Sequence, residues 1–317
     1  MKKKIYIAGS GGMLGEAFYR IFKKDYELKC TDKDVNEPWL DFLDFRDFNN
    51  YRKEVAEFNP DYLFHLGALT NLEECELNPD NTYLTNTTSV ENAVLLANEL
   101  NIPILYISTA GIFDGKKDFY DDWDEPNPLG HYARSKYMGE RYVRENANKY
   151  IICRAGWMMG GGPKKDKKFI NKIIKQLASG KRDLYIVNDK DGTPTFTVDF
   201  AKNVKLLMEN EYWGLYNLVC KGETSRREVA EEIVSILGLQ SEVTIHEVSS
   251  DYFKETYFAP RPPSERLINK KLELRNINVM RDWRIALRDY INDYYSDYLA
   301  DKIDDGKEVS ITLKSAV

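Results

Sequence analysis

A short apolar run, Ile5-Tyr6-Ile7-Ala8, leads at once into Gly9-Ser10-Gly11-Gly12-Met13-Leu14-Gly15 and then into a helix-like segment through Phe22. Strand, glycine-rich turn and helix in that order leave the chain few ways to continue. The G-x-x-G-x-x-G spacing puts Gly9 where the backbone must turn tightly. It puts Gly12 where a pyrophosphate can approach and Gly15 where helix and strand can close on each other. Phosphate oxygens would meet the free N–H groups of the helix N-terminus, with Met13 and Leu14 in the same cradle. A glycine turn that binds nothing is the plainer alternative. The next β-prone run ends at Asp32, about where a carboxylate can hold adenosine ribose hydroxyls. Such a carboxylate opposes a 2′-phosphate and favours NAD(H), while Lys33 beside it leaves NADP(H) open.

The same alternation continues down the chain. Apolar runs at 61–68, 104–109 and 150–154 read as strands, and 46–58 and 81–100 as helices between them. Strands separated by helices imply right-handed crossovers and a parallel sheet, with ligands at the strands' carboxyl ends. The fold class expected is therefore α/β: a Rossmann-type doubly wound parallel sheet with a smaller mixed α/β C-terminal lobe for substrate. Residues 1–160 form the dinucleotide-binding domain, 161–300 mainly the substrate lobe, and 301–317 a partly frayed tail. Segments such as 190–215 return to the first domain.

Thr109 stands at a strand end, where its hydroxyl could bond a substrate oxygen, with a capping role as the alternative. In Gly130-His131-Tyr132-Ala133-Arg134-Ser135-Lys136, residues Tyr132 and Lys136 share one helical face. A cation near a phenol favours the phenolate, lowering its pKa from about 10 and enabling proton exchange with a substrate oxygen. A surface pair is the bland reading of such a short motif. Residues 157–163 read as a flexible exit, and the lysine cluster at 164–168 as a solvated start of a helix running to 180, with attraction of an anionic substrate as the alternative. Helices are expected over 198–209, 225–237 and 282–298, with short strands near 215–219 and 243–246. Arg261, between Pro260 and Pro262, could pair with a diphosphate or simply sit in a surface turn.

Composition narrows the classes. Forty-five basic against 51 acidic residues give −6 over 317 residues, which argues against nucleic acid or anionic membranes as partners. No apolar run approaches a membrane span, and the basic-then-apolar start is too short for a signal peptide, so a cytoplasmic location is expected. Cys30, Cys75, Cys153 and Cys220 are far apart and read as buried thiols. His65, His131 and His246 are scattered, and no metal site is expected.

Together these segments resemble the extended short-chain dehydrogenase/reductase superfamily, and within it the dTDP-4-dehydrorhamnose reductase family, from Lys4 to about Tyr290. The resemblance is carried by the glycine turn, His65-Leu66-Gly67-Ala68-Leu69-Thr70, Asn86, and Ser108-Thr109 with Phe113-Asp114-Gly115. It continues in Tyr132-x-x-Ser135-Lys136-x-x-Gly139-Glu140, Arg154-x-x-Trp157, Gly192-x-Pro194-Thr195 and Arg261-Pro262. It implies NAD(P)H-dependent reduction of a nucleotide-linked 4-keto-6-deoxy sugar in surface polysaccharide biosynthesis. Thr109, Tyr132 and Lys136 would be catalytic, and Lys136 would also hold the nicotinamide ribose. Asp32 would take the adenosine ribose, Asp44 the adenine, and Gly67 and Ala68 would line the cofactor's path. Trp157, Thr195 and Arg261, with Thr109, would contact the nucleotide-diphosphate sugar, and a homodimer is in keeping with the family. A sugar-nucleotide epimerase or dehydratase, or a non-catalytic nucleotide-binding regulatory subunit, are the alternatives. Two departures bear on substrate. Ala110-Gly111 stand where the family usually has Asp-Tyr, and Ser264-Glu265 where it commonly has Asn-Ser. A carboxylate at 265 would repel a diphosphate if it faced one.

Overall fold

A computed structural model describes residues 2–304. Seven strands make the main sheet: β1 (Lys4–Ala8), β2 (Glu27–Asp32), β3 (Leu40–Phe42), β4 (Tyr62–His65), β5 (Ile104–Thr109), β6 (Tyr150–Ala155) and β7 (Gly214–Asn217). They lie in the order β7-β6-β5-β4-β1-β2-β3, and every pairing is parallel. The order reverses between β1 and β4, which opens a crevice at their carboxyl ends.

The sheet is covered on both faces, and β1 shows why its sequence is apolar throughout. Ile5 and Ile7 enter one hydrophobic cluster while Tyr6 and Ala8 enter another. The first cluster gathers Phe18 from helix Met13–Phe22 and Phe200 from helix Thr197–Glu209, which pack together, and extends to Trp283 and Tyr290. The second takes Tyr51, Val90, Val94 and Val143 from helices Phe48–Phe58, Ser89–Glu99 and His131–Asn146. Helix Phe169–Ala178 buries Ile170, Ile173, Ile174 and Leu177, the i, i+3, i+4, i+7 stripe of an amphipathic helix.

The C-terminal lobe is built from small pieces. Asp183–Val187 pairs with Thr244–Val248, and Asp191–Gly192 lies between Thr224–Ser225 and Ser264–Glu265. Trp157–Met159 is a strand against Pro194–Phe196, so 157–163 is no flexible exit: Met159 and Phe196 are buried in that pairing. The expected helix over 81–100 is interrupted. Pro79–Tyr83 and Ser89–Glu99 are α-helical, and Leu84–Thr88 is a π-helical turn that carries buried Asn86. A further helix, Leu72–Leu77, precedes it, and the strand at 183–187 had no counterpart in the sequence reading.

The lysine cluster at 164–168 is solvated only in part: Lys164, Lys167 and Lys168 are exposed ahead of the helix Phe169–Ala178, but Lys165 and Asp166 are not. Lys165 is buried, and its ammonium donates to the Gly11 carbonyl (3.1 Å) and to Asn36 (2.8 Å). Buried Asp166 accepts a hydrogen bond from Tyr290 on the last helix, Trp283–Asp304. That helix carries the chain through residue 304; the remainder of the expected tail lies outside the described residues. Cys30, Cys75, Cys153 and Cys220 are buried free thiols, and burial pushes Cys30 and Cys220 up to about 12. No helix among the described residues is long and apolar enough to cross a membrane.

Candidate active site

The carboxyl ends of β1, β2, β4 and β5 open into one cleft of about 1710 Å³, which also reaches Trp157, Arg226, Arg261 and Glu265. That exceeds the ~300–1,000 Å³ of a site for one small ligand.

The cofactor side is made largely of backbone. Gly9 has φ of 78°, and a Cβ there would lie 2.3 Å from the Gly67 backbone, so the turn after β1 and the end of β4 touch across the switch point. Gly67 is constrained from its other side by the Phe45 ring. Gly12 has no atom within 4 Å of where a Cβ would stand, and the helix it begins has no side-chain cap. Open space over uncapped N–H groups, at Met13 and Leu14 among others, fits a dinucleotide pyrophosphate. Gly15 packs against the backbone of Ser10, in the turn itself rather than on the strand. Asp32 accepts hydrogen bonds from the Gly11 (2.8 Å) and Asp34 (2.9 Å) N–H groups. Each oxygen retains capacity for a ribose hydroxyl. Asp44 faces the cleft but is clasped by Arg46, whose hydrogen bonds hold its carboxyl below the usual range. Ala68 lines the same wall.

The helix His131–Asn146 brings Tyr132 and Lys136 to this cleft, and long-range contacts fix its position. Glu140 and Arg154 form a fully buried two-point ion pair (2.6 and 3.0 Å) that fastens the helix to β6. Asn86 joins the Leu69 backbone to Ser135. Gly139 admits the Asn86 carbonyl and the Tyr106 hydroxyl, which a Cβ would meet at 2.8 and 2.9 Å.

Thr109 and Tyr132 converge. A Cβ on Gly111 would stand 3.5 Å from the Thr109 hydroxyl and 3.8 Å from the edge of the Tyr132 ring. Burial pushes the Tyr132 phenol up to about 12, opposed by its hydrogen bond with Thr109 and reinforced by the charge of Glu265. The expected lowering by Lys136 is therefore corrected: burial outweighs it. The Lys136 ammonium lies 4.3 Å from the centre of the Tyr106 ring, and burial pushes it down to about 7. No hydrogen bond joins it to Tyr132 among the described residues. A phenol near 12 stays protonated at neutral pH, which suits a proton donor.

On the substrate side Trp157 is held at several points. Its indole N–H donates to Glu265 (2.6 Å), the Arg226 guanidinium stacks 3.6 Å from its ring centre, and Gly192 admits the ring where a Cβ would collide at 2.3 Å. Thr195 is a correction. It is fully buried, and its hydroxyl accepts from the Gly156 N–H (2.9 Å), so it braces the strand that presents Trp157 and has no surface to offer a substrate. Arg261 lines the cleft, paired with Glu73 at 2.7 Å and donating to the Ala259 carbonyl.

Arg226 was missed. It opens helix Arg226–Ile236, whose capping box is Ser225 with Glu228. A cation is disfavoured at a helix N-terminus, and burial pushes this one down to about 10. Among the described residues it has no ion pair within 4 Å. A basic residue directly after a capping-box serine was the available signal. Lys165 and Asn36, which hold the Gly11 carbonyl, carried no local signal at all.

A family model described as the RmlD substrate binding domain matches residues 2–296. The chain is 29% identical over 290 residues to the spore coat polysaccharide biosynthesis protein SpsK of Bacillus subtilis, covering 91% of this chain and 96% of that protein. It is 26% identical to the dTDP-4-dehydrorhamnose reductase of Salmonella typhimurium, covering 77% and 83%. The structure of dTDP-4-dehydrorhamnose reductase from Bacillus anthracis in complex with NADP superposes with a TM-score of 0.84 at 26% identity, over 92% of this chain and 100% of that one. The parallel sheet with its crevice at the glycine turn, and a match spanning nearly the whole chain, place the protein in the dTDP-4-dehydrorhamnose reductase-like family of extended short-chain dehydrogenases/reductases.

Proposed function

We propose that this protein reduces the 4-keto group of a nucleotide-linked 4-keto-6-deoxy sugar, dTDP-4-dehydrorhamnose or a close relative, with NADH or NADPH, during surface polysaccharide synthesis in the cytoplasm. The carrying observation is that Thr109 and Tyr132 meet in the same cleft as an uncapped helix N-terminus.

The nicotinamide cofactor, when bound, supplies hydride to the keto carbon. Gly9, Gly12, Met13, Leu14 and Gly15 cradle its pyrophosphate, Asp32 takes the ribose, Asp44 the adenine edge, and Gly67 and Ala68 the path between. Thr109 and Tyr132 hold the keto oxygen. As negative charge gathers on that oxygen, Tyr132 passes it the phenolic proton. Lys136 holds the nicotinamide ribose, and the cofactor's negative charge favours its ammonium. Trp157 and Arg261 orient the nucleotide-sugar, Arg261 exchanging Glu73 for a diphosphate oxygen. The reading includes a homodimer, which light scattering on the purified protein tests.

The experiment is a panel of nucleotide 4-keto-6-deoxy sugars with either nicotinamide cofactor, following cofactor oxidation and identifying the product sugar. One equivalent of cofactor oxidised per sugar is expected. Sugar interconversion without net oxidation would establish the epimerase alternative, and no sugar-dependent turnover would overturn the reductase.

A further inference from the structure

We infer that Glu265 is a specificity-determining residue, selecting sugars that carry a hydrogen-bond donor, hydroxyl or ammonium, beside the carbon being reduced. This rests on the reductase reading above and deepens it.

Glu265 lies on the two-residue strand Ser264–Glu265, paired with Asp191–Gly192, which brings it alongside Trp157. One carboxylate oxygen, Oε2, accepts from the Trp157 indole at 2.6 Å. The other, Oε1, receives no hydrogen bond among the described residues. Oε1 points at Gly111: a Cβ there would be 3.3 Å from it, 3.5 Å from the Thr109 hydroxyl and 3.8 Å from the Tyr132 ring. Glu265 thus stands across Gly111 from the Thr109 hydroxyl and the edge of the Tyr132 ring, the two groups proposed to hold the keto oxygen. The repulsion expected between this carboxylate and a diphosphate is not what the geometry presents.

The two departures from the family pattern meet in space. A side chain larger than hydrogen at 111 would press on the carboxylate, so Gly111 makes the room that Glu265 uses. An ionised carboxylate is an acceptor only, and with Oε2 engaged Oε1 offers its lone pairs to a donor. A sugar held with its keto oxygen between Thr109 and Tyr132 brings the substituent of an adjacent ring carbon within reach. A deoxy centre there would leave the acceptor unmatched, and a carboxylated neighbour would be repelled. Sites built around such a bond discriminate strongly against analogues lacking the donor.

The test uses three nucleotide 4-keto-6-deoxy sugars that differ only beside the keto carbon: hydroxyl, amino and deoxy. The wild type should favour the hydroxyl or the amino sugar over the deoxy sugar by at least about tenfold in kcat/KM, as for a charge-assisted bond, and the ratio between those two identifies the donor. Glu265→Gln can keep an oxygen on the Trp157 indole while turning the free acceptor into a donor. Its preference for the ammonium sugar, which has no lone pair to accept from the amide, should fall to about unity or below, mainly through KM, with cofactor affinity unchanged. Glu265→Ser should also lose the preference. If Glu265→Gln keeps the wild-type amino-to-deoxy ratio and Glu265→Ser keeps the wild-type hydroxyl-to-deoxy ratio, the inference is overturned while the reductase reading stands. If the wild type reduces none of the three, both fall.

Discussion

The two sides of the cleft are made of different material. The cofactor side is backbone: Gly9 against Gly67, Gly12 open beneath uncapped N–H groups, Asp32 bonded to the turn it faces. The side proposed for the substrate is long side chains from distant segments: Trp157 and Glu265 on short strands, Arg226 at a helix start and Arg261 in a loop. Where that backbone is in close contact, as at Gly9 against Gly67, it cannot be altered without disturbing the fold. Side chains on short strands can be exchanged singly, so that is where one family member can come to differ from another in the sugar it accepts.

The largest test falls where the two sides meet. Tyr132→Phe should reduce kcat by about a hundredfold to ten-thousandfold, the usual worth of a positioned acid. Cofactor affinity by fluorescence titration should hold within about twofold, and near-normal turnover would remove Tyr132 as the donor. Gly9→Ala should next cost about 3 kcal/mol of stability in urea unfolding, from a strained φ plus the collision with Gly67. If it proves harmless, the cofactor side is not as backbone-limited as the geometry indicates.

Arg226→Met should do the opposite. It relieves a half-buried cation at the wrong end of a helix, so the melting temperature should hold or rise. KM for the nucleotide sugar should meanwhile increase by about tenfold or more, as for a lost charge-assisted bond. A fall in stability without a change in KM would make Arg226 structural. Gly12→Val isolates ligand approach from folding: stability should stay within about 0.5 kcal/mol, while cofactor affinity drops about tenfold.

The smallest effect is in pH. Lys136 is lowered from 10.5 to about 7 by burial. Between those values the unfolded chain keeps a proton that the folded chain has released. Lys136 therefore makes stability rise with pH across that window, whereas below it both states are protonated. Lys136→Met should flatten the rise in urea midpoints measured from pH 7 to about 10, and an unchanged slope would place the cause elsewhere.

By itself the sequence determined whatever depends on neighbours along the chain. Ile5 to Ala8, the glycines after them and Asp32 form one local unit, whose sterics and orphan N–H groups point to a dinucleotide turn. Tyr132 and Lys136 are one helical turn apart, so their shared face follows from the helix period alone. Tertiary structure decided whatever depends on burial and on contacts closed over long loops. It turned Thr195 inward to brace Gly156, buried Lys165 against Gly11, made a strand of Trp157–Met159 by giving it Pro194–Phe196, and raised the Tyr132 phenol where local spacing suggested lowering. It also set Glu265 opposite Gly111, 154 positions earlier in the chain. A pKa or a hydrogen-bond partner follows from the groups that enclose a side chain, and those are assembled only when the sheet and the small strands close around the cleft.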